Sequence, residues 1–599
     1  MVLFLNTNSI KAMKQIRRFS SSIFVFIVVA CAVSAFAQKP IKIDYTVSLA
    51  NPATQQFHIA TDIKNIDQPQ LSLSLPTWAP GWYTVENYFK NVLRFRITDA
   101  SGKVLPHTMS RKQTWNVDTK GIREIKIDYD YQAAVLALNQ AKITKDFAFF
   151  TGIELFLQAE GHRNESSTVH FAIPAGWKLI SALKETTDPM TFAADNYDVL
   201  VDAPTEMGNF DVTKYEAEGK PHYFVSNPAG AYSQEKANKF CDMMAKVVHA
   251  DATMFGGLPY EKYLHFYFFA PAESNAGGAL EHLNSFVAFA QTPDRTPESI
   301  IPTAAHEYFH LWNVKRIRPA EMWPYDYSHE NETPLLWVSE GFTNYYGAVA
   351  RYRAGLSTPE NFVDSVASAT GGVENEDARN YISPAESSVS TWAGYDTPVA
   401  FGISYYTQGQ NLGALLDLLI RNDTDGQLSL DDVMRALFSD NYKKGTGFTT
   451  EDMVRIINKL TKKDYHDFYQ KYVFGTDVPD YDRIFGYAGY RLEKKMDKAP
   501  VFGMGARGAT VLAIEPGSPA EQAGMKVGDV IKLINGEDFR HVQTNELAGK
   551  TAKWTIERGT KTIELTMNVG SRDVSSYSLL SLPNPTPQQT KIRESWLKR

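Results

Sequence analysis

Apolar and polar positions alternate with a period of two through Ile41 to Leu49, Gln56 to Ile63, Val92 to Ile97, Ile122 to Tyr131 and Thr168 to Ile173. Turn clusters such as Asn65 to Pro69 and Ala100-Ser101-Gly102 separate these runs. A period of two belongs to strands with one face buried, so the region from about Ile41 to Glu218 is expected to form an antiparallel β-sandwich. From about Ser233 the period lengthens to that of helices. Glu235 to Phe255, Glu360 to Ala369, Gln410 to Arg421 and Glu451 to Leu460 fit it, the last capped by Thr449 or Thr450. Tyr263 to Phe269 is strand-like, and the aromatic run from Leu335 to Tyr346 reads as a buried helix. Past Pro479, Val511 to Gly536 runs strand, turn, short helix, turn and strand. The end, from about Ser571, is rich in Ser, Pro, Gln and Lys and is expected to lack a core of its own. These changes divide the chain into residues 1–37, 38–225, 226–485, 486–572 and 573–599, a multidomain α+β protein.

Candidate chemistry concentrates in T-A-A-H-E-Y-F-H, Thr303 to His310. On a helix His306 and His310 lie one turn apart and face the same way, so two imidazoles can meet one metal ion beside Glu307. Catalytic zinc takes three protein ligands and keeps a position for water, so a third ligand must come from elsewhere. Glu340, in W-V-S-E-G-F-T-N-Y-Y, sits in the buried aromatic run; Glu330 sits in the polar, proline-ended S-H-E-N-E-T-P. A ligand must be held still by packing, which favours Glu340. In A-E-S-N-A-G-G-A-L-E-H, Ala272 to His282, the pair Gly277-Gly278 lets a substrate backbone approach closely, and Glu281 can hold an ammonium group. Pro76 to Tyr83, P-T-W-A-P-G-W-Y, is too stiff for a central strand and reads first as a loop packed on the sheet, with covering of the cleft as the second reading.

Two motif matches fail on context. Gly503 to Gly508 spells a dinucleotide fingerprint but leads into a strand. Arg421 to Asp432 resembles a calcium loop whose first position would be an arginine, so it reads as a turn before a helix capped by Ser429.

The 599 residues exceed what one core can hold. Lys11, Lys14, Arg17 and Arg18 precede the apolar run Ile23 to Ala30, and Ala35-Phe36-Ala37 offers a cleavage site, so export with cleavage before Gln38 is expected, to the periplasm or beyond. Val28-Val29-Ala30-Cys31 also resembles a lipoprotein box, with Cys31 as the lipidated residue. No later apolar stretch is long enough to span a membrane. Losing four basic and no acidic residues takes the formal charge from -7 to -11, which speaks against nucleic acid as a partner. Cys241 is then the only cysteine, so stability must come from core burial.

Taken together, P-T-W-A-P-G-W-Y, G-G-A-L-E-H, H-E-Y-F-H-L-W-N-V-K-R-I-R-P, W-V-S-E-G-F-T-N-Y-Y, S-Y-Y-T-Q-G and S-P-A-E-Q-A-G-M-K-V-G-D resemble the glycyl aminopeptidase family of gluzincin zinc metallopeptidases with a C-terminal PDZ domain. The resemblance implies an N-terminal β domain, a thermolysin-like, mainly helical catalytic domain and a PDZ-like domain. It implies one zinc per chain on His306, His310 and Glu340, Glu307 as general base, and Glu281 as receiver of the substrate's amine. Tyr406 matches the oxyanion-stabilising tyrosine of a Y-x-K-G pattern, with Gln408 in place of the lysine and Tyr405 as the alternative. The expected activity is release of small N-terminal residues, glycine and alanine, from peptides. The PDZ-like domain is expected either to bind peptide C-termini by strand addition or to be architectural. The rival readings are a zinc endopeptidase and a peptide-binding scaffold with a vestigial metal site.

Overall fold

The computed structural model describes residues 40–269, 277–290, 292–393 and 403–599. Residues 1–37, read above as an export signal, with Cys31, the stretch 272–276 and Gly402 lie outside the described residues.

The N-terminal region is built as its alternation requires. Lys42–Ser48 and Glu124–Gln132 bury every second side chain, and both lie inside a seven-stranded sheet. Five- and four-stranded sheets complete the region. The seven-stranded sheet is mixed, because Lys42–Ser48 runs parallel to Ser167–Ala172, with Ile43 opposite Ser167. A wholly antiparallel sandwich is therefore not what forms. Parallel pairing needs a long crossover, and the smaller sheets' strands occupy the intervening residues.

A second five-stranded sheet starts at Asp211 and spans residue 226. Asp211–Ala217 pairs with Lys220–Asn227, which in turn pairs in parallel with Tyr263–Phe269. All seven residues of Tyr263–Phe269 are buried, as expected of a strand covered on both faces. Ser285–Ala290 follows in parallel, and Gly278–His282 closes the sheet as an antiparallel edge. Helices Gln234–Phe255 and Pro297–Phe309 carry Ser233 and Thr296 as N-caps, and Pro297 occupies the first turn of the second. Two further helices, Pro359–Glu374 and Tyr405–Asp423, pack nearby. Ser429 caps Leu430–Asp440 and Thr449 caps Thr450–Thr461.

Residues 502–569 have a hydrophobic core of their own around Val511, Ile531, Trp554, Ile556 and Met567. This small domain stands on a two-stranded ribbon, Tyr490–Val501 paired with Gly570–Ser581 from Tyr490↔Ser581 to Val501↔Gly570. Gly503 has φ +64, and a Cβ there would lie 2.1 Å from Ser518 Cβ, which gives this glycine of the false fingerprint a packing role.

The terminal residues do not behave as a coreless tail. Pro587–Trp596 is a helix whose Ile592 and Trp596 are buried in the main core. Trp596 Nε1 donates to Tyr345 Oη at 3.0 Å, and Arg421 donates to Ser595 O at 2.7 Å. Composition misleads here because a few large apolar side chains, Trp596 above all, anchor an otherwise polar segment. Among the described residues no helix is long and apolar enough to cross a membrane.

Candidate active site

His306 lies in the last turn of Pro297–Phe309 and His310 is its C-terminal cap. Their Nε2 atoms are 2.9 Å apart, and Glu340 Oε2 lies 3.6 Å from the first and 3.1 Å from the second. One donor atom from each of the three falls within 4.8 Å of the others. His310 Nδ1 donates to Asn313 O at 2.6 Å, which leaves Nε2 as the nitrogen a metal would take in place of a proton. Glu330, the rival carboxylate, is exposed in a loop and belongs to no such cluster.

Glu340 sits on a π-helical turn, Trp337–Phe342, that runs into the helix Thr343–Arg353. Such turns widen a helix by one residue and re-aim a side chain. Two features hold the turn. The Asn313 amide donates to Val338 O, Ser339 O and Thr343 Oγ1 at 2.9, 3.1 and 3.1 Å, tying it to the segment after His310. On the other side Gly341 meets Gly409; a Cβ on Gly409 would lie 1.9 Å from Trp337 O, so only glycine fits. Gly347 similarly brings the helix onto His306, where a Cβ would lie 3.3 Å from the His306 Cα.

A second cluster, Glu281, Glu307 and His310, overlaps the first at His310. Glu281 lies on the edge strand, buried, with Oε1 unpartnered. Lys315 Nζ is 4.0 Å from it but is committed to Asp202 at 2.9 Å. Asp202 also accepts from Leu283 N at 2.5 Å and lies 3.4 Å from His282 Nδ1. Burial raises the Asp202 carboxyl, but Lys315 and His282 outweigh it and hold it at about 2. Burial pushes Glu307 and Glu281 upward. His310 resists burial and is pushed up to about 10 by Glu340 and Glu281. Three carboxylates around two imidazoles in a buried space demand a positive charge, and two imidazoles with one carboxylate are a donor set that suits zinc.

Tyr406 stacks near His306, with ring centroids 6.1 Å apart, and lines a cavity of about 390 Å³ with His306, Thr303 and Asn344. Tyr405 is buried behind it, 3.2 Å from Thr391 Oγ1. Gln408 turns away, donating to Ile382 O at 3.3 Å. Gly277 and Gly278 line a neighbouring cavity of about 200 Å³ that includes Thr303 and Arg295.

Pro76 to Tyr83 is part of the site rather than a loop resting on its own sheet. Tyr83 Oη donates to Glu340 Oε1 at 3.2 Å. Gly81, at φ +93, would place a Cβ 2.5 Å from Glu281 Oε1. Trp78 Nε1 donates to Asp326 O at 2.8 Å and fixes the segment to the catalytic region. Tyr83, Asn313 and Lys315 are therefore site residues that pattern reading passed over. All three stand inside the motifs quoted above, which is the only signal they gave.

The profile of the Peptidase M61 N-terminal domain matches residues 44–209, that of M61 glycyl aminopeptidase residues 299–412, and that of a PDZ domain residues 510–549. No curated protein is significantly similar to the chain in sequence. Among solved structures, an aminopeptidase N family protein from Idiomarina loihiensis shares the fold, with TM-score 0.76, 22% identity, 93% of this chain covered and 100% of that one. An M1 zinc metallopeptidase from Deinococcus radiodurans aligns with TM-score 0.48 and 13% identity over 74% of this chain and 96% of its own. With M61 N-terminal, M61 glycyl aminopeptidase and PDZ domains matched over those residues, the chain is a zinc metallo-aminopeptidase that carries a PDZ domain.

Proposed function

We propose that the protein is an exported aminopeptidase that releases small N-terminal residues, glycine and alanine foremost, from short peptides. One zinc ion is held by His306, His310 and Glu340. The observation that carries the reading is the unpartnered Glu281 Oε1 at the closed end of the site, whose cationic neighbour is already spoken for by Asp202. A buried carboxylate with spare acceptor capacity suits a substrate ammonium group.

Zinc bound at this position would supply Lewis acidity toward a water and the scissile carbonyl. Glu307, beside both the donor set and Glu281, takes the proton from the attacking water and returns it to the leaving amine. Tyr406 donates a hydrogen bond to the oxyanion as it forms. Among the described residues the strand Gly278–His282 pairs on one side only, and an extended substrate adds on the other as a further strand. Preference for small residues is supported by the crowding at Gly81, where the Pro76 to Tyr83 segment comes so close that a Cβ would lie 2.5 Å from Glu281 Oε1.

Comparison of amino-acid arylamides with N-acetylated peptides, in the parent and in Glu281→Ala, tests the assignment. The parent should cut only free amines, and Glu281→Ala should lose arylamide activity and relax the demand for a free amine. Undiminished arylamide turnover by Glu281→Ala would contradict it.

A further inference from the structure

Other buried arginines have partners: Arg353 pairs with Asp431 at 2.8 Å, Arg421 with Asp417 at 3.1 Å, and Arg316 donates to the carbonyls of Leu283, Leu311 and Pro259. Arg351 differs. Its Nε donates to Gly347 O at 3.2 Å, one turn back on its own helix, and among the described residues no acid pairs with its guanidinium. Burial lowers its affinity for its proton, and among the described residues no charge offsets the effect. A half-buried guanidinium without an anion is an unfilled request for one.

The cavity it lines is the one shared by His306, Thr303 and Tyr406. The site has a direction. His310 is 1% exposed at the closed end near Glu281, whereas His306 is 15% exposed toward this cavity. A peptide whose amine rests at Glu281 must lead its remainder past His306 toward Arg351. Gly347 touches His306, and Arg351 lies four residues, about 6 Å, further along the helix. An extended residue spans about 3.5 Å, so one or two residues beyond the scissile bond bring a terminal carboxylate within its reach.

We propose that Arg351 receives the C-terminal carboxylate of di- and tripeptides, so that the site reads a short peptide at both ends. The inference rests on the aminopeptidase reading above and names its substrate class. Guanidinium and carboxylate match in a planar, two-bonded geometry that a lysine reproduces only in part.

The test compares the parent, Arg351→Gln and Arg351→Lys on triglycine as the free acid, on its C-terminal amide, and on glycine arylamide. The parent should favour acid over amide by roughly 10- to 100-fold in kcat/KM, carried mainly by KM. Arg351→Gln should erase that preference, Arg351→Lys should keep part of it, and arylamide turnover should stay within about twofold in all three. Equal use of acid and amide by the parent, or an Arg351→Gln that slows all three substrates alike, would overturn the inference while leaving the aminopeptidase reading intact. A parent that cuts none of the free-amine substrates would remove that reading and the inference with it.

Discussion

At the residue scale the site is a balance of buried charge. Glu281, Glu307 and Glu340 surround His306 and His310, and Lys315 offsets only part of that negative field because Asp202 holds it. Glu307→Gln keeps the shape and hydrogen-bonding reach of the side chain but cannot carry a proton. Its kcat is expected to fall by roughly 10²- to 10⁴-fold with zinc content unchanged, measured by steady-state kinetics beside metal analysis. Tyr83 acts on the metal indirectly, through its hydrogen bond to Glu340 Oε1. Tyr83→Phe removes that bond and should weaken zinc affinity by roughly 10- to 100-fold, read by competition with a chromogenic chelator. Affinity equal to the parent's would show that the bond leaves the ligand's position to the π turn alone.

Among the elements, the π turn and the two helices against it position the chemistry. The histidine pair was legible because its signal is local: a spacing of four on a helix fixes which way both imidazoles point. The choice of Glu340 over Glu330 was also legible, since burial in an aromatic run separates them. The rest was not, because it depends on contacts between distant segments. Tyr83 and Glu340 are 257 residues apart, and the stiffness of the Pro76 to Tyr83 run left covering of the cleft only a second reading, with no sign of which residue would reach the metal site. The meeting of Gly341 with Gly409 is equally silent, because a glycine in sequence does not name its partner. Gly409→Ala would drive a Cβ into Trp337 O and push the tyrosine-bearing helix off the π turn. A loss of about 1–3 kcal/mol in stability is expected, together with lower activity, measured by denaturant unfolding and kcat/KM. Parent-like values for both would mean that the turn does not depend on this contact.

For the whole molecule, the chain leaves its catalytic body, makes a PDZ domain on a ribbon, and returns. The PDZ region has a separate core, while Ile592 and Trp596 belong to the main one. Tyr345, on the helix that follows the π turn, receives the Trp596 indole and donates to Asp417 at 2.7 Å. Sequence composition hid this return, because polar residues outnumber the buried ones in the last helix. Excision of residues 502–569, joining the paired ends Val501 and Gly570 by a tight turn, should leave folding and tripeptide hydrolysis intact. Truncation before Pro587 should instead lower the melting temperature by several degrees and reduce zinc retention, because Trp596 leaves a cavity in the core. If the PDZ domain recruits substrates by their C-termini, the excised protein should lose activity on long peptides and keep it on tripeptides. Equal losses on both would point to an architectural role.

The account depends most on a cation shared by His306, His310 and Glu340, and zinc stoichiometry under chelator competition tests it directly in the parent, Glu330→Ala and Glu340→Ala. One zinc per chain is expected in the parent and in Glu330→Ala, with Glu340→Ala losing its metal at chelator concentrations the other two withstand. A parent that purifies without zinc and takes up none, or a Glu340→Ala that holds it as tightly as the parent, would contradict the account.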